Sequence, residues 1–259
     1  MGIKQYEEQL KGVYGKYYCS GQCINYSQCK KGLVDDGLFF NCAKLGKHYG
    51  EGPYPRVLVI GKEPITENKV ITRTATLGDA DNPHYRRTLY TLATILEKKP
   101  DSDAINNLKQ YEKLLDYFCL TNYFKCSFTE VVKENGERKA KTNSNIKTSK
   151  AMCDNCWRIL IDEINALKPE IVVVQGRSYA GALWEEICSK ECFGENQLLG
   201  DTYKQDYEEL TKHTYKNGDP LYIVWAYHPT ARGKYLWNKR LSNLQRILKK
   251  LRECLDLER

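Results

Sequence analysis

A chain of 259 residues with 41% hydrophobic and 28% charged content has the composition of an ordinary globular protein and the length to bury a full core. No apolar stretch approaches the roughly 20 residues of a membrane helix, and Met1 to Leu10 is polar with no signal-peptide core, so membrane and secreted classes are set aside and a cytoplasmic protein is expected. The net charge of +7, from 40 basic against 33 acidic residues, suits a polyanionic partner without requiring one.

The first 50 residues are rich in Gly, Tyr and Cys and show no clean period, which points to a segment tied down by something other than a core, such as a metal centre. After Pro53 and Pro55 the pattern changes. Arg56-Val57-Leu58-Val59-Ile60 is a continuous apolar run ending at Gly61 and reads as a buried parallel strand. Leu89, Leu92, Ala93 and Leu96 then recur at helical spacing. Tyr117 to Thr121 is a second strand-like run. The segment from Lys133 to Lys150 holds six basic and two acidic residues, and reads as a solvated loop or, alternatively, as a contact for a polyanion backbone. Trp157, Leu160, Ile161, Ile164 and Leu167 mark another helix. Ile171 to Gln175 and Leu221 to Tyr227 are the third and fourth strands. Trp237 to Leu255 closes the chain as a basic amphipathic helix.

Strands alternating with helices predict an α/β protein, three-layer α/β/α around a central, mostly parallel four-stranded sheet. One domain over 1–259 is expected, with the Cys-rich segment 1–52 packed on it. Ligands of open parallel sheets bind at the carboxyl ends of the strands. Those ends here deliver Gly61-Lys62-Glu63-Pro64, Thr121-Asn122, Gln175-Gly176 and His228-Pro229-Thr230. A glycine turn, a carboxylate, an amide and a histidine thus converge on one edge.

Eleven cysteines in a reducing compartment favour metal or iron–sulfur ligation over disulfides. Cys119, in an apolar run, and Cys254, on the late helix, read as plain thiols.

The ordered set of motifs resembles the uracil-DNA glycosylase superfamily. Gly61-Lys62-Glu63-Pro64 stands where members place Gly-x-[Asp/Asn/Ala]-Pro, and His228-Pro229-Thr230 where they place His-Pro-Ser. Thr121-Asn122-Tyr123-Phe124-Lys125-Cys126 is similar to the Thr-Asn-x-x-Lys-Cys of the iron–sulfur branch. Cys156-Trp157-Arg158-Ile159-Leu160, Pro169-Glu170-Ile171-Val172 and Gly176 continue that branch's pattern.

The resemblance implies a monofunctional DNA glycosylase that hydrolyses the bond to uracil or a modified pyrimidine, with no lyase step. Glu63 would orient the water and face the cationic sugar. His228 would donate to the carbonyl oxygen of the departing base. Asn122 would read the base edge, since an amide both donates and accepts. His84 or Tyr85 stands where relatives have the stacking Phe, and the base must be flipped out to reach it. Gly61 and Ile65 would line the base pocket, Ile65 lying where relatives have Tyr or Gly, near C5 of the base. Arg232, Lys234, Tyr235 and Leu236 fall in the family's DNA-entering loop, with packing of Leu236 and Trp237 into the core as the alternative.

The resemblance also implies a [4Fe–4S] cluster on Cys19, Cys23, Cys126 and Cys156, with Cys29, Cys42 and Cys153 as alternatives and zinc as the alternative metal. The partner would be single- or double-stranded DNA, the location the nucleoid, and the protein a monomer. Glu63, Ile65 and Thr230 depart from the family pattern, which bears on the base more than on the reaction. A modified base of foreign DNA is therefore a live substrate. The rival readings are a catalytically silent nucleic-acid-binding relative and a cysteine-rich metal protein.

Overall fold

The computed structural model describes residues 1–19, 22–29, 34–35, 42–61, 83–97, 108–125, 128–129, 131–134, 137–140, 150–176, 197–198, 208–227 and 234–257. In chain order these form α1 (Ile3–Tyr17), β1 (Tyr18–Cys19), β2 (Gln22–Cys23), α2 (Tyr26–Cys29), β3 (Val34–Asp35), β4 (Lys44–Leu45), β5 (Val57–Gly61) and α3 (Pro83–Leu96). A 3-10 helix (Leu108–Asp116), β6 (Phe118–Asn122), β7 (Phe128–Thr129), β8 (Val131–Glu134), β9 (Glu137–Ala140) and α4 (Lys150–Leu167) follow. The chain continues with β10 (Ile171–Gln175), β11 (Gln197–Leu198), β12 (Glu209–Thr214), β13 (Pro220–Ala226) and α5 (Lys234–Leu257).

The four predicted strands are the parallel centre of one sheet, in the order β13-β10-β5-β6. That centre is extended at both sides. β4 pairs antiparallel with β6, β12 antiparallel with β13, and β11 with β12, giving seven strands among the described residues where four were expected. The additions were hidden for a physical reason. β12 reads Glu-Leu-Thr-Lys-His-Thr, and its inward face is polar: Thr211 and His213 are buried and bonded to each other, and the Trp225 indole N–H donates to Thr211 Oγ1 at 3.1 Å.

Continuous apolar strands bury both of their faces. Val57, Val59, Phe118, Ile171, Val173, Tyr222 and Val224 pack with Leu89, Leu92 and Leu96 of α3 and Leu244, Leu248 and Leu251 of α5. Leu58, Ile60, Cys119, Val172, Val174, Ile223 and Trp225 face the opposite way, against Leu160, Ile161 and Ile164 of α4 and Tyr6, Leu10 and Val13 of α1. This is the expected three-layer arrangement.

Two readings of the sequence change. The first 50 residues contain a helix, α1, whose Ile3, Tyr6, Leu10, Val13, Tyr14 and Tyr17 share a stripe at helical spacing once tyrosine is counted as apolar. Gly12 and Gly15 each cost such a helix up to about 1 kcal/mol, and packing against α4 overrides them. The basic segment 133–150 begins as a hairpin of β8 with β9, flanking Asn135-Gly136 in sequence, and ends in the first turn of α4. No helix among the described residues is long and apolar enough to cross a membrane.

Candidate active site at the carboxyl edge of the sheet

The parallel strands end level with one another. Gly61 is in register with Asn122, Ile60 with Val174, and Gln175 with Ala226. At about 4.8 Å per strand, the edge from β13 to β6 spans roughly 14 Å. The connection from β5 runs through α3 to β6, whereas the next runs back through α4, on the other face, to β10. The strand order therefore reverses between β5 and β10, which is where open α/β sheets hold their ligands.

Gly61 and Asn122 build the side of this edge that is described. A Cβ added at Gly61 would stand 2.6 Å from Asn122 Oδ1, so only glycine admits the amide in its present place. The Tyr123 backbone N–H donates to Gly61 O at 2.8 Å and ties the two strand ends together. Both Gly61 and Asn122 are half-buried. Gln175 is different. It is buried, and its Nε2 donates to Thr88 Oγ1 at 2.8 Å, so this amide anchors α3 to the sheet. Gly176 follows with φ +100°, and its N–H reaches Ala226 O at 2.9 Å.

Glu63 follows Gly61 by two residues and His228 follows Ala226 by two; both, with Ile65, Arg232 and Cys126, lie outside the described residues. His84 and Tyr85 fall in the first turn of α3, behind Pro83, whose fixed φ suits that position. Lys234, Tyr235 and Leu236 fall in the first turn of α5, so three of the residues read as a DNA-entering loop are helical. For these five residues the backbone alone is described, and their side chains lie outside the described part of the structure.

Behind the edge lies a polar cluster that motif reading missed. Lys125 and Glu163 are both fully buried, and Lys125 Nζ donates to Glu163 Oε2 at 2.6 Å and to Thr121 Oγ1 at 2.7 Å. Thr121 Oγ1 donates to the same carboxylate oxygen at 2.9 Å. The Tyr14 hydroxyl donates to Glu163 Oε1 at 2.8 Å and accepts the Ala43 N–H at 2.6 Å. Burial, and then the Glu163 carboxylate, push the Tyr14 hydroxyl far above its ordinary pKa. The sequence did carry a signal for this cluster. Glu163 lies three residues after Leu160 and four before Leu167, on the apolar stripe of its helix.

The cysteines sort into groups. Cys156 is buried, and burial is the largest of the influences that push its thiol up to about 12; the backbone N–H of Lys125 bonds to it, and the thiols of Cys29 and Cys23 raise it further. Cys29, also buried, accepts from Asn155 Nδ2 at 3.7 Å and is raised by burial and by Cys23. Cys23, Cys29 and Cys156 therefore neighbour one another, and Lys125, bonded to Cys156, directly precedes Cys126 in the sequence. Among the described residues, however, no group of three or more His, Cys, Asp or Glu side chains closes tightly enough to hold an ion. Cys42 is elsewhere: its thiol, pushed up to about 11 by burial and then by Glu163, neighbours the buried cluster instead. The side chains of Cys19 and Cys153 lie outside the described part. Cys119 is buried in the core, and Cys254 packs half-exposed against the α5 side.

No curated protein matches this chain. Residues 49–252 match the Uracil DNA glycosylase superfamily, which takes in β5, β6, β10, β13 and every residue of the carboxyl edge. Members of that superfamily are DNA glycosylases, hydrolases that act on DNA, and this chain belongs to it.

Proposed function

We propose that the protein is a monofunctional DNA glycosylase that hydrolyses the N-glycosidic bond of uracil or a modified pyrimidine and leaves an abasic site. One observation carries this reading: Gly61 makes room for the Asn122 amide at the strand ends, beside the point from which Glu63 leaves the sheet. Breaking this bond develops positive charge on the sugar and negative charge on the base. Glu63 answers the first, as the base that holds the attacking water and faces the sugar. His228, leaving β13 two strands away, answers the second by donating to the base oxygen. Asn122 selects the base by its edge, donating and accepting at once. His84 or Tyr85, at the start of α3, gives the flipped base its platform. Arg232 and the first turn of α5, with Lys234, Tyr235 and Leu236, meet the DNA backbone.

Cys23, Cys29 and Cys156 share one neighbourhood and are the donor type of a thiolate-held group. We infer that Cys23, Cys29, Cys126 and Cys156 hold a [4Fe–4S] cluster, with zinc as the alternative metal. The neighbouring of Cys23, Cys29 and Cys156, and the backbone N–H on Cys156, favour Cys29 over Cys19 in that set. The group's contribution is structural: it pins the N-terminal segment to β6 and α4. Burial raises the Cys23, Cys29 and Cys156 thiols, so loading would release protons.

The test is direct. The purified protein is incubated with oligonucleotides carrying uracil, 5-substituted uracils or modified cytosines, and abasic sites are then cleaved with alkali. Strand breaks that vanish in Glu63→Gln support the reading, and intact strands across the whole panel sink it. An absorption band near roughly 400 nm in anaerobically prepared protein marks the iron–sulfur form; a colourless, zinc-containing preparation marks the other.

A further inference from the structure

Four consecutive residues, Asn122 to Lys125, join the recognition edge to the cysteines. At one end Asn122 lies against Gly61, and at the other the Lys125 backbone N–H meets the Cys156 thiol. Tyr123, Phe124 and Lys125, with Thr121 before them, are 2% exposed or less. A single carboxylate holds this stretch from below. Glu163 Oε2 accepts from Lys125 Nζ at 2.6 Å and from Thr121 Oγ1 at 2.9 Å, and the Lys125–Thr121 bond of 2.7 Å closes a ring of three hydrogen bonds. Glu163 Oε1 accepts from Tyr14, whose hydroxyl also takes the Ala43 N–H.

Stability alone gives little reason for this arrangement. A buried ion pair loses much of its Coulomb energy to desolvation, and apolar residues of similar volume often hold a fold as well or better. What the ring supplies is a single geometry. Thr121 has one donor and accepts once, Lys125 donates to both partners, and each is placed by the same carboxylate. The next residue along the strand is Asn122, whose amide oxygen stands where a side chain at Gly61 would be.

We propose that Glu163 is a positioning residue for base recognition: with Lys125, Thr121 and Tyr14 it fixes the end of β6 so that Asn122 presents its amide in one orientation. This rests on the reading of Asn122 as the residue that meets the base. Tyr14 belongs to α1, which precedes the residues 49–252 that match the superfamily, so an element outside the matched span helps hold the strand edge.

The experiment compares the full-length wild type with Glu163→Gln and with the double variant Lys125→Met/Glu163→Met. Excision is measured on single-stranded oligonucleotides containing uracil, and stability by thermal unfolding. Glu163→Gln should lower kcat/KM at least tenfold. The double variant should melt within a few degrees of wild type and still excise at least tenfold more slowly. A double variant as fast as wild type overturns the proposal, because the site would then keep its geometry without the pair. A second readout is independent of turnover. The side-chain amide signals of Asn122, identified by their loss in Asn122→Ala, should form one sharp pair in ¹⁵N-labelled wild type and shift or double in both variants. Unchanged signals overturn the proposal even if Glu163→Gln unfolds partly. If wild type excises nothing from any oligonucleotide while these signals respond, the glycosylase reading fails and the positioning of Asn122 stands.

Discussion

Thr121 and Asn122 are neighbours on one strand and serve opposite faces of the sheet. Thr121, 1% exposed, is closed into a ring with Lys125 and Glu163 beneath α1. Asn122, half-buried, lies at the open edge against Gly61. Gln175 and Asn122 share the α3 face and differ in another way: two amides at the ends of parallel strands, one bonded to Thr88 and one at the open edge. Strand alternation separates Thr121 from Asn122, and on the shared face it is the Thr88 hydroxyl of α3 that turns Gln175 into scaffold. A motif string alone does not carry that distinction, because Thr121, Asn122 and Lys125 sit side by side within it.

The sharpest way to break the contrast is to change a residue at the open edge and look for a rate effect without a stability effect. Glu63→Gln should lower kcat by about 10²–10⁴-fold, the range of a lost general base, while the melting temperature moves by no more than a degree or two. Single-turnover excision on a uracil oligonucleotide measures it. A loss below tenfold would remove Glu63 from the chemistry.

The buried face should respond in the reverse sense. Lys125→Ala leaves the Glu163 carboxylate buried without its cation, which costs about 3–5 kcal/mol. Asn122→Ala, one strand face away, should change stability by less than about 1 kcal/mol. Urea unfolding of the two variants side by side decides the matter. Equal losses would mean that the two faces are one structural unit, and the contrast would fall.

A third buried polar site tests whether such groups act alike. His213, in β12, is buried beside Thr211, and burial lowers its pKa from 6.5 to about 4. The folded protein thus holds the imidazole neutral at pH values where the unfolded chain would protonate it. Its contribution is complete above the unfolded value of about 6.5, is lost as pH falls from there to about 4, and is flat below; the total is about 2–3 kcal/mol. Stability curves at stepped pH should show this slope in wild type and lose most of it in His213→Gln. A slope that survives the substitution belongs to other groups.

How much of this was legible depended on whether the physics was local. The four parallel strands were, since an apolar run buried on both faces announces itself, as in Val57-Leu58-Val59-Ile60. Helix α1 was not, because its stripe is built largely of tyrosines and crossed by two glycines. Strand β12 was not, because its inward residues are Thr211 and His213, which bond to each other while Trp225 donates to Thr211 from the next strand. At the site, Gly61 and Asn122 were singled out from their motifs and are brought together by register. Glu163 was passed over, although an acid on an apolar helix stripe implies a buried partner. That partner, Lys125, was read as part of a motif and not as a charge in need of one. The cysteine set was legible only as a list, since thiol neighbours 23, 29 and 156 meet through tertiary packing and no fixed spacing marks them.

Gly61 gives the finest test of the contrast, because it acts on Asn122 without touching the buried ring. The Cβ of Gly61→Ala would arrive 2.6 Å from Asn122 Oδ1, and the backbone there needs no left-handed conformation, so crowding is the whole effect. The amide must swing away, since the alternative is to part β5 from β6 where Tyr123 N–H meets Gly61 O. A displacement of this size, under an ångström or two, should lower kcat/KM roughly tenfold through misplaced contacts. Such crowding should cost about 1 kcal/mol of stability. Pairing it with Asn122→Ala completes the test. If Gly61→Ala acts by displacing the amide, adding it to Asn122→Ala should have almost no further effect on the rate. An additive loss would mean that Gly61 faces the substrate itself, and that the Asn122 amide owes its place to something other than the missing side chain.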